Sequence, residues 1–575
     1  MNKETRLKFG ILCNSFYLQR WQYMVIEHLL NAGHELVVAV MAEEEAQSQI
    51  HTIQKIVKYP FSKILFRLYF RYILKPEAKT QVNGEKLFTG ATLIYDPGEK
   101  VKNFHLFSDT TIEAIQNTGA HFLLRFGYGL IKGRILEATP YGVWSFHHDD
   151  PEVVRGVPSN FWEIYHGIPI NGAILQRLSE KIDAGPILMQ GWFPTLLHSW
   201  EGNINQAYYG TVSWPARVCN DIIHNGEEIF FRAPRPRPGK LYLAPDNTTF
   251  LKFLLKLWYY RIRYHIRELF LAEQWICGIA PCHVSTLMKR GLPISDFNWL
   301  RPSKNNEYRA DISGWFNGSQ LRIFYEHYNY CNPKGTIRSQ TLPQDLNISA
   351  SNKETTVLAS ASHLAFPFIF SDGQRILCIP ESACKNRIEL YSWDESSCRF
   401  VFLHTLLEGV KAVDTIAFRH DGRWWLFFTL KEKSNYELHA WYAPNLEGPY
   451  VPHVLNPLKT DIRSARPAGG VFNYEGRMIR PAQDCAPYSG RQIVLNEIEK
   501  LSPTAFDEKM IHELGSGGHP RYKAGMHTLN FAGPYLLVDA KRHIFILCNL
   551  INKTKEKLSK VRIFSRRVTN AYASE

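Results

Sequence analysis

Several absences narrow the sequence before any motif is read. No stretch approaches about 18 uninterrupted apolar residues, so no membrane-spanning helix is expected. The opening MNKETRLKFGILCNSF starts basic, but its apolar run is too short and mixed for a signal peptide. The ten cysteines include no CxxC pair, and the CGIAPC spacing of Cys277 and Cys282 is not that of a zinc knuckle. Free thiols in a reducing compartment are therefore expected. Acidic excess is missing too: 67 Lys and Arg face 54 Asp and Glu, a net charge of +13. That surplus favours acidic partners, whether nucleic acid, phosphorylated sugars, folate polyglutamate or anionic lipid. The expected location is the cytoplasm, free or peripheral on the inner face of a membrane.

What is present reads as globular. Hydrophobic residues make up 45% of the 575 and charged residues 21%, so disorder and fibres are excluded. At about 150 residues per domain the length suits three to four domains, or two large ones. Two basic-aromatic segments stand out: SKILFRLYFRYILK at 62–75 and FLKFLLKLWYYRIRYHIRELF at 250–270. Both carry apolar residues at helical spacing with Lys or Arg between. They suit either a membrane interface or packing with snorkelling cations.

The first domain opens as strand (KFGILCN), helix (RWQYMVIEHLLNAG) and strand (HELVVAVM), the start of a Rossmann-like α/β sheet. The glycine-rich turn of a dinucleotide site is lacking: Leu12, Cys13 and Asn14 stand in its place. Further on, strand HFLLRF runs into the turn of Phe126, Gly127, Tyr128, Gly129 and Leu130, and a helix to Ala138 is expected. Strand VWSFHH then brings Ser145, His147 and His148 to its C-terminal edge, where open α/β sheets place ligands. Gly142-Val143 precedes Ser145-Phe146-His147, Arg155-Gly156 follows, and Asp183-Ala184-Gly185-Pro186-Ile187 closes the pattern.

This ordered pattern, over about residues 7–240, resembles the formyltransferase family. The resemblance implies transfer of a formyl group from 10-formyltetrahydrofolate, as co-substrate, to an amine. It gives His147 and Asp183 the proton-handling roles and lays Phe126 to Leu130, with Asp183, against the folate. Ser145 stands where the family has an Asn as oxyanion donor. His148, Asp149 and Asp150 add charge beside the site, as contacts to a cationic amine or as a solvated loop.

The stretch APRPRPG at 233–239 reads as an extended linker. From about residue 275 a different phrase recurs: an apolar pair, a bend with Gly or Asp, then an apolar-aromatic strand. It occurs near 310, 367, 414 and 466, and more weakly near 533. Five hairpin phrases at about 50-residue spacing predict an all-β five-bladed propeller. The phrases resemble five-bladed glycoside hydrolase family 43 proteins. IPESACKNRIELYSW, AVDTIAFRHDGRWWLFFT and SARPAGGVF look like the N-terminal propeller of plant glucosamine inositolphosphorylceramide transferases. Strand starts converge on a funnel, so Asp311, Glu381, Asp414, Arg466, Gln483 and Asp484 are expected to meet there, as carboxylates do in glycosidases. His519 and His527 lack an evident third ligand, and no metal is expected.

The expected organisation is a formyltransferase-like α/β domain at 1–240, a linker and basic helix at 241–274, and the propeller at 275–575. The expected function is folate-dependent N-formylation of a nucleotide- or lipid-linked amino sugar in surface glycan synthesis. An anionic membrane surface is a further partner, and no nucleic acid is expected beyond a nucleotide carrier. The alternatives are a carbohydrate-active transferase or hydrolase with its site in the propeller funnel, and a non-catalytic glycan-binding protein.

Overall fold

A computed structural model describes residues 6–42, 60–102, 104–181, 184–231, 238–301, 303–343, 345–346, 353–515 and 519–557. The chain divides into two compact units, Met1–Arg261 and Ile262–Glu575. The division falls inside the helix Asn247–Phe270. Residues 233–237 of the expected linker lie outside the described residues.

The first unit is built on a seven-stranded sheet. From edge to edge its strands are Ile187–Pro194, Ile170–Arg177, Val143–His147, Phe122–Arg125, Lys8–Cys13, Glu35–Met41 and Thr92–Tyr95. The last five pair in parallel, and Ile170–Arg177 is antiparallel to both its neighbours. The expected strand–helix–strand opening is present, with its helix at Arg20–Asn31. That helix buries Trp21, Val25, Ile26 and Leu29 at three- and four-residue steps, the face a helix must bury against a sheet. Where a helix to Ala138 was expected there is only a short strand, Leu130–Ile131, and a 3-10 turn, Arg134–Glu137. Gly133 and the left-handed Tyr128 and Gly129 interrupt any longer helix.

The second unit is a ring of five antiparallel sheets, four of four strands and one of five. The first four expected phrases each form the first hairpin of a blade, with bends at Gly318, Gly373, Gly422 and Gly476, whereas the one near 533 gives the bend at Gly533 and a single long strand, Tyr535–Ile544, whose hairpin partner Leu529–Ala532 precedes it. The ring closes by pairing Ala272–Pro281 with Tyr535–Ile544, so the last blade draws strands from both ends of the unit. The Cys277 thiol is buried in this closing strand.

Ring closure also corrects the expectation of free thiols throughout. Cys331 and Cys548, 217 residues apart in sequence, form a disulfide with a Cα–Cα distance of 5.1 Å. Closing the propeller brings the loop after a first-blade strand beside the helix that follows the last blade, a proximity sequence spacing does not reveal. Among the described residues no helix is long and apolar enough to cross a membrane.

Candidate functional site in the propeller funnel

Three consecutive blades start with the same device. The first strands Glu307–Phe316, Ala365–Ser371 and Ala412–His420 each slip register against the second strand early on. One residue in each irregularity takes a left-handed backbone: Asp311 (φ 55°), Phe366 (φ 40°) and Asp414 (φ 51°). Bulges of this kind re-aim a side chain, and strain at non-glycine residues persists only where the surroundings enforce it. Two of the three residues are aspartates, and the cluster of charged side chains forms around them.

Asp414 is buried and accepts hydrogen bonds from Arg466 Nε at 2.6 Å and Gln483 Nε2 at 2.8 Å. Arg466 also donates to the Asn435 and Ser489 side chains. Burial works against the Arg466 charge, but Asp414 outweighs it and raises its pKa. Glu381 ends the second strand of the preceding blade and is partly open to solvent. Burial first, then the negative charge of Asp414, pushes its pKa up to about 8. Both effects favour the protonated carboxyl over the carboxylate.

Asp311 accepts from the Phe366 N–H at 3.1 Å and from Thr528 Oγ1 at 3.3 Å. It faces His527 Nε2 at 3.3 Å, and His527 Nδ1 lies 2.6 Å from Asp539. Asp539 is fully buried and also accepts the N–H groups of His527, Thr528 and Asp311. The imidazole is stacked on Trp275 at 3.7 Å. Burial opposes the His527 charge, but Asp539 and Asp311 outweigh it and raise its pKa. The Asp311 carboxyl is raised by burial, with His527 opposing. Glu326, on the second strand of the first blade, is buried beside this group. Its carboxyl is raised well above the usual range by burial, then by Asp311 and Glu381.

Asp311, His527 and Asp539 offer ligand atoms within 4.8 Å of one another, a set able to hold a metal ion. Both imidazole nitrogens are already turned to carboxylates, so a cation would have to displace the bridging proton. His519, the other histidine noted in the sequence, packs against Trp299 and Tyr522 instead.

Of the expected funnel residues, Asp311, Glu381, Asp414 and Arg466 come together, with Gln483. Asp484 does not: it accepts from Arg491, Gln492 and the Ala486 N–H within its own blade. Successive strand side chains point to opposite faces, so when Gln483 reaches Asp414 its neighbour must turn away. Sequence reading missed Asp539, Glu326 and the part played by His527. The available signal was a lone acid inside an apolar strand, as in YLLVDA and LRIFYE.

The residues expected to form a site in the first unit are tied up differently. The Ser145 hydroxyl is buried and accepts from Arg125 Nε at 3.1 Å and Nη2 at 2.8 Å, so it is held as an acceptor inside the sheet. His147 lies 3.9 Å from the buried Asp149. His148 stacks on Tyr208 at 3.7 Å. Phe126 packs edge-on to Trp21, and the Phe126 and Gly127 N–H groups both donate to Leu12 O. The buried Tyr128 donates its hydroxyl to Asp96 O, while Leu130 is exposed. Asp150 accepts from Trp192 Nε1, and Asp183 lies outside the described residues.

Residues 301–518 match the family model described as glucosamine inositolphosphorylceramide transferase 1, N-terminal. A rice (Oryza sativa subsp. japonica) protein named glucosamine inositolphosphorylceramide transferase 1 is 30% identical over 216 residues, 35% of this chain and 28% of that one. The chain thus spans little more than a quarter of the length of the curated relative. Among solved structures, glycinamide ribonucleotide transformylase 1 from Symbiobacterium toebii aligns with 39% of this chain and 90% of its own, at 13% identity and a TM-score of 0.28. The catalytic domain of a Coprinopsis cinerea GH62 α-L-arabinofuranosidase aligns with 42% and 94%, at 9% identity and a TM-score of 0.33. Scores this low carry no inference. The curated relatives bear the name of a different transferase class, and this overturns the expectation of a folate-dependent N-formyltransferase. The matched segment lies within the propeller, and in the first unit Arg125 holds the Ser145 hydroxyl as an acceptor.

Proposed function

We propose that the protein is a carbohydrate-active transferase whose reacting centre is the propeller funnel, acting on a sugar joined to a phosphate-bearing lipid headgroup. One observation carries the reading: Asp311, Glu381 and Asp414 converge from three blades, and Glu381, whose pKa burial and Asp414 raise, is partly open. Carboxyl groups converging on one opening are what acid–base chemistry at a sugar requires. Glu381 gives its proton to the oxygen that leaves the anomeric carbon. Asp311, backed by His527 and Asp539, takes the proton of the acceptor hydroxyl as the new bond forms. Asp414, held by Arg466, keeps Glu381 protonated. The similarity of residues 301–518 to part of the glucosamine inositolphosphorylceramide transferases supports a phosphorylated glycolipid as the substrate class.

A second reading is favoured by the burial of Asp311, Asp414 and Asp539: a funnel that binds the glycan without turnover. One experiment separates the two. The full chain is incubated with a glucosaminyl-inositol-phosphate headgroup and a sugar acceptor, and anomeric proton signals are followed by NMR. The proposal expects turnover that Glu381→Gln and Asp414→Asn abolish and His147→Ala leaves intact. Saturable binding without turnover supports the second reading, and absence of binding overturns both.

A further inference from the structure

The two basic-aromatic segments lie side by side in the first unit. Asn247 pins them, accepting from the Leu65 N–H at 3.1 Å and donating to Phe61 O at 3.0 Å. Phe66 and Tyr69 turn inward onto Phe250, at 5.8 and 5.3 Å between ring centroids, and Tyr69 stacks on Trp200. On the long helix Phe250, Phe253 and Leu257 form the buried stripe. Packing is thus satisfied by the inner faces alone.

The outer faces remain strongly apolar. Leu251, Leu255 and Trp258 follow one another at four- and three-residue steps and are 50%, 68% and 65% exposed. On the shorter segment Phe61, Leu68, Tyr72 and Ile73 are exposed, Phe61 at 82%. Cations are interleaved with them: Lys63, Arg67, Arg71 and Lys75 on one segment, and Lys252, Lys256 and Arg261 on the other. No Asp or Glu occurs within 61–75 or 247–261. Three of the cations also donate to backbone carbonyls: Lys256 to Tyr165 O at 2.7 Å, Arg261 to His198 O at 3.4 Å and Lys75 to Arg71 O at 2.7 Å.

We infer that this face is a docking surface for an anionic phospholipid bilayer. Exposed Trp, Tyr, Phe and Leu side chains can enter the headgroup boundary while the cations meet lipid phosphates and carboxylates. The core of a protein–protein interface is depleted in Lys, so cations at every turn favour lipid over a protein partner. The inference stands apart from the funnel chemistry, since it requires no sugar on the lipid.

The test is co-sedimentation of the full chain with phosphatidylcholine vesicles, with and without phosphatidylserine. The expected result is binding to the anionic vesicles, at least about tenfold weaker on phosphatidylcholine alone, and falling with added salt. A Leu255→Asp/Trp258→Asp variant weakens binding by about tenfold or more. Arg67→Ala/Arg71→Ala, which leaves the apolar stripe intact, weakens it selectively on the anionic vesicles and serves if the aspartate variant melts early. Failure of the wild type to bind anionic vesicles, or equal binding by wild type and both variants, overturns the inference. So does light scattering that shows the aspartates dissolving a dimer, which would assign the face to a second copy of this chain.

Discussion

Each unit buries a carboxyl pair, and the two pairs differ in what can reach them. In the first unit Asp149 and Glu163 are each 2% exposed. Burial raises both, Asp149 well above the usual range and Glu163 to about 7. Asn160 donates its N–H to Asp149 at 2.7 Å and closes the group over. In the propeller the corresponding pair is Glu381 and Asp414, where one member is sealed and held by Arg466 while the other meets solvent. A carboxyl raised by burial is thus common to both, and access distinguishes them. A perturbed carboxyl marks a reacting centre only where a substrate atom can come within hydrogen-bond distance of it.

The contrast can be broken most sharply at Glu381. Glu381→Gln removes the proton donor and is expected to lower turnover by about 10²–10⁴-fold, whereas Glu163→Gln leaves it within about twofold; initial rates on the two variants decide. The next effect is on stability. His527→Ala leaves Asp311 and Asp539 buried without the imidazole between them and should cost about 3–5 kcal/mol in denaturant unfolding of the propeller. Cys331→Ser opens the 217-residue loop and should cost about 2–4 kcal/mol in the same unit, with the α/β transition unchanged.

The pH dependence sharpens the comparison further. The Glu381 pKa is raised from 4.5 to about 8, so the folded state holds a proton that the unfolded state releases. Stability from this group therefore falls as pH rises from about 4.5 towards 8, and activity needing the protonated acid is lost through about 8. Glu381→Gln should flatten the stability slope in that window, as read by thermal melts across pH. The smallest expected effect is at His147: His147→Ala should leave turnover within about twofold, since nothing in the proposed chemistry passes through it.

Much of the architecture was legible in the sequence. The Asn-Gly, Asp-Gly and Glu-Gly bends between alternating apolar strands marked the hairpins, and the helix stripe of Trp21, Val25 and Leu29 marked the sheet opening. The funnel was legible in part, because repeat alignment points strand starts at a common axis. It could not reveal that Gln483 faces in and Asp484 out, which depends on a single step of strand alternation. Nor could it pair Asp311 with Asp539, 228 residues away, since ring closure alone brings them together. The first unit holds a contact that was equally hidden. Ser145 and His147 fall at a sheet edge in a familiar order, yet Arg125 from the adjacent strand takes the hydroxyl, a contact that no local spacing reports.

A structure of the full chain with the proposed headgroup substrate would show where the sugar binds. The sugar is expected in the propeller funnel, with its glycosidic oxygen within hydrogen-bond distance of a Glu381 carboxyl oxygen. A sugar bound instead beside His147 in the first unit, with nothing at Glu381, would contradict it.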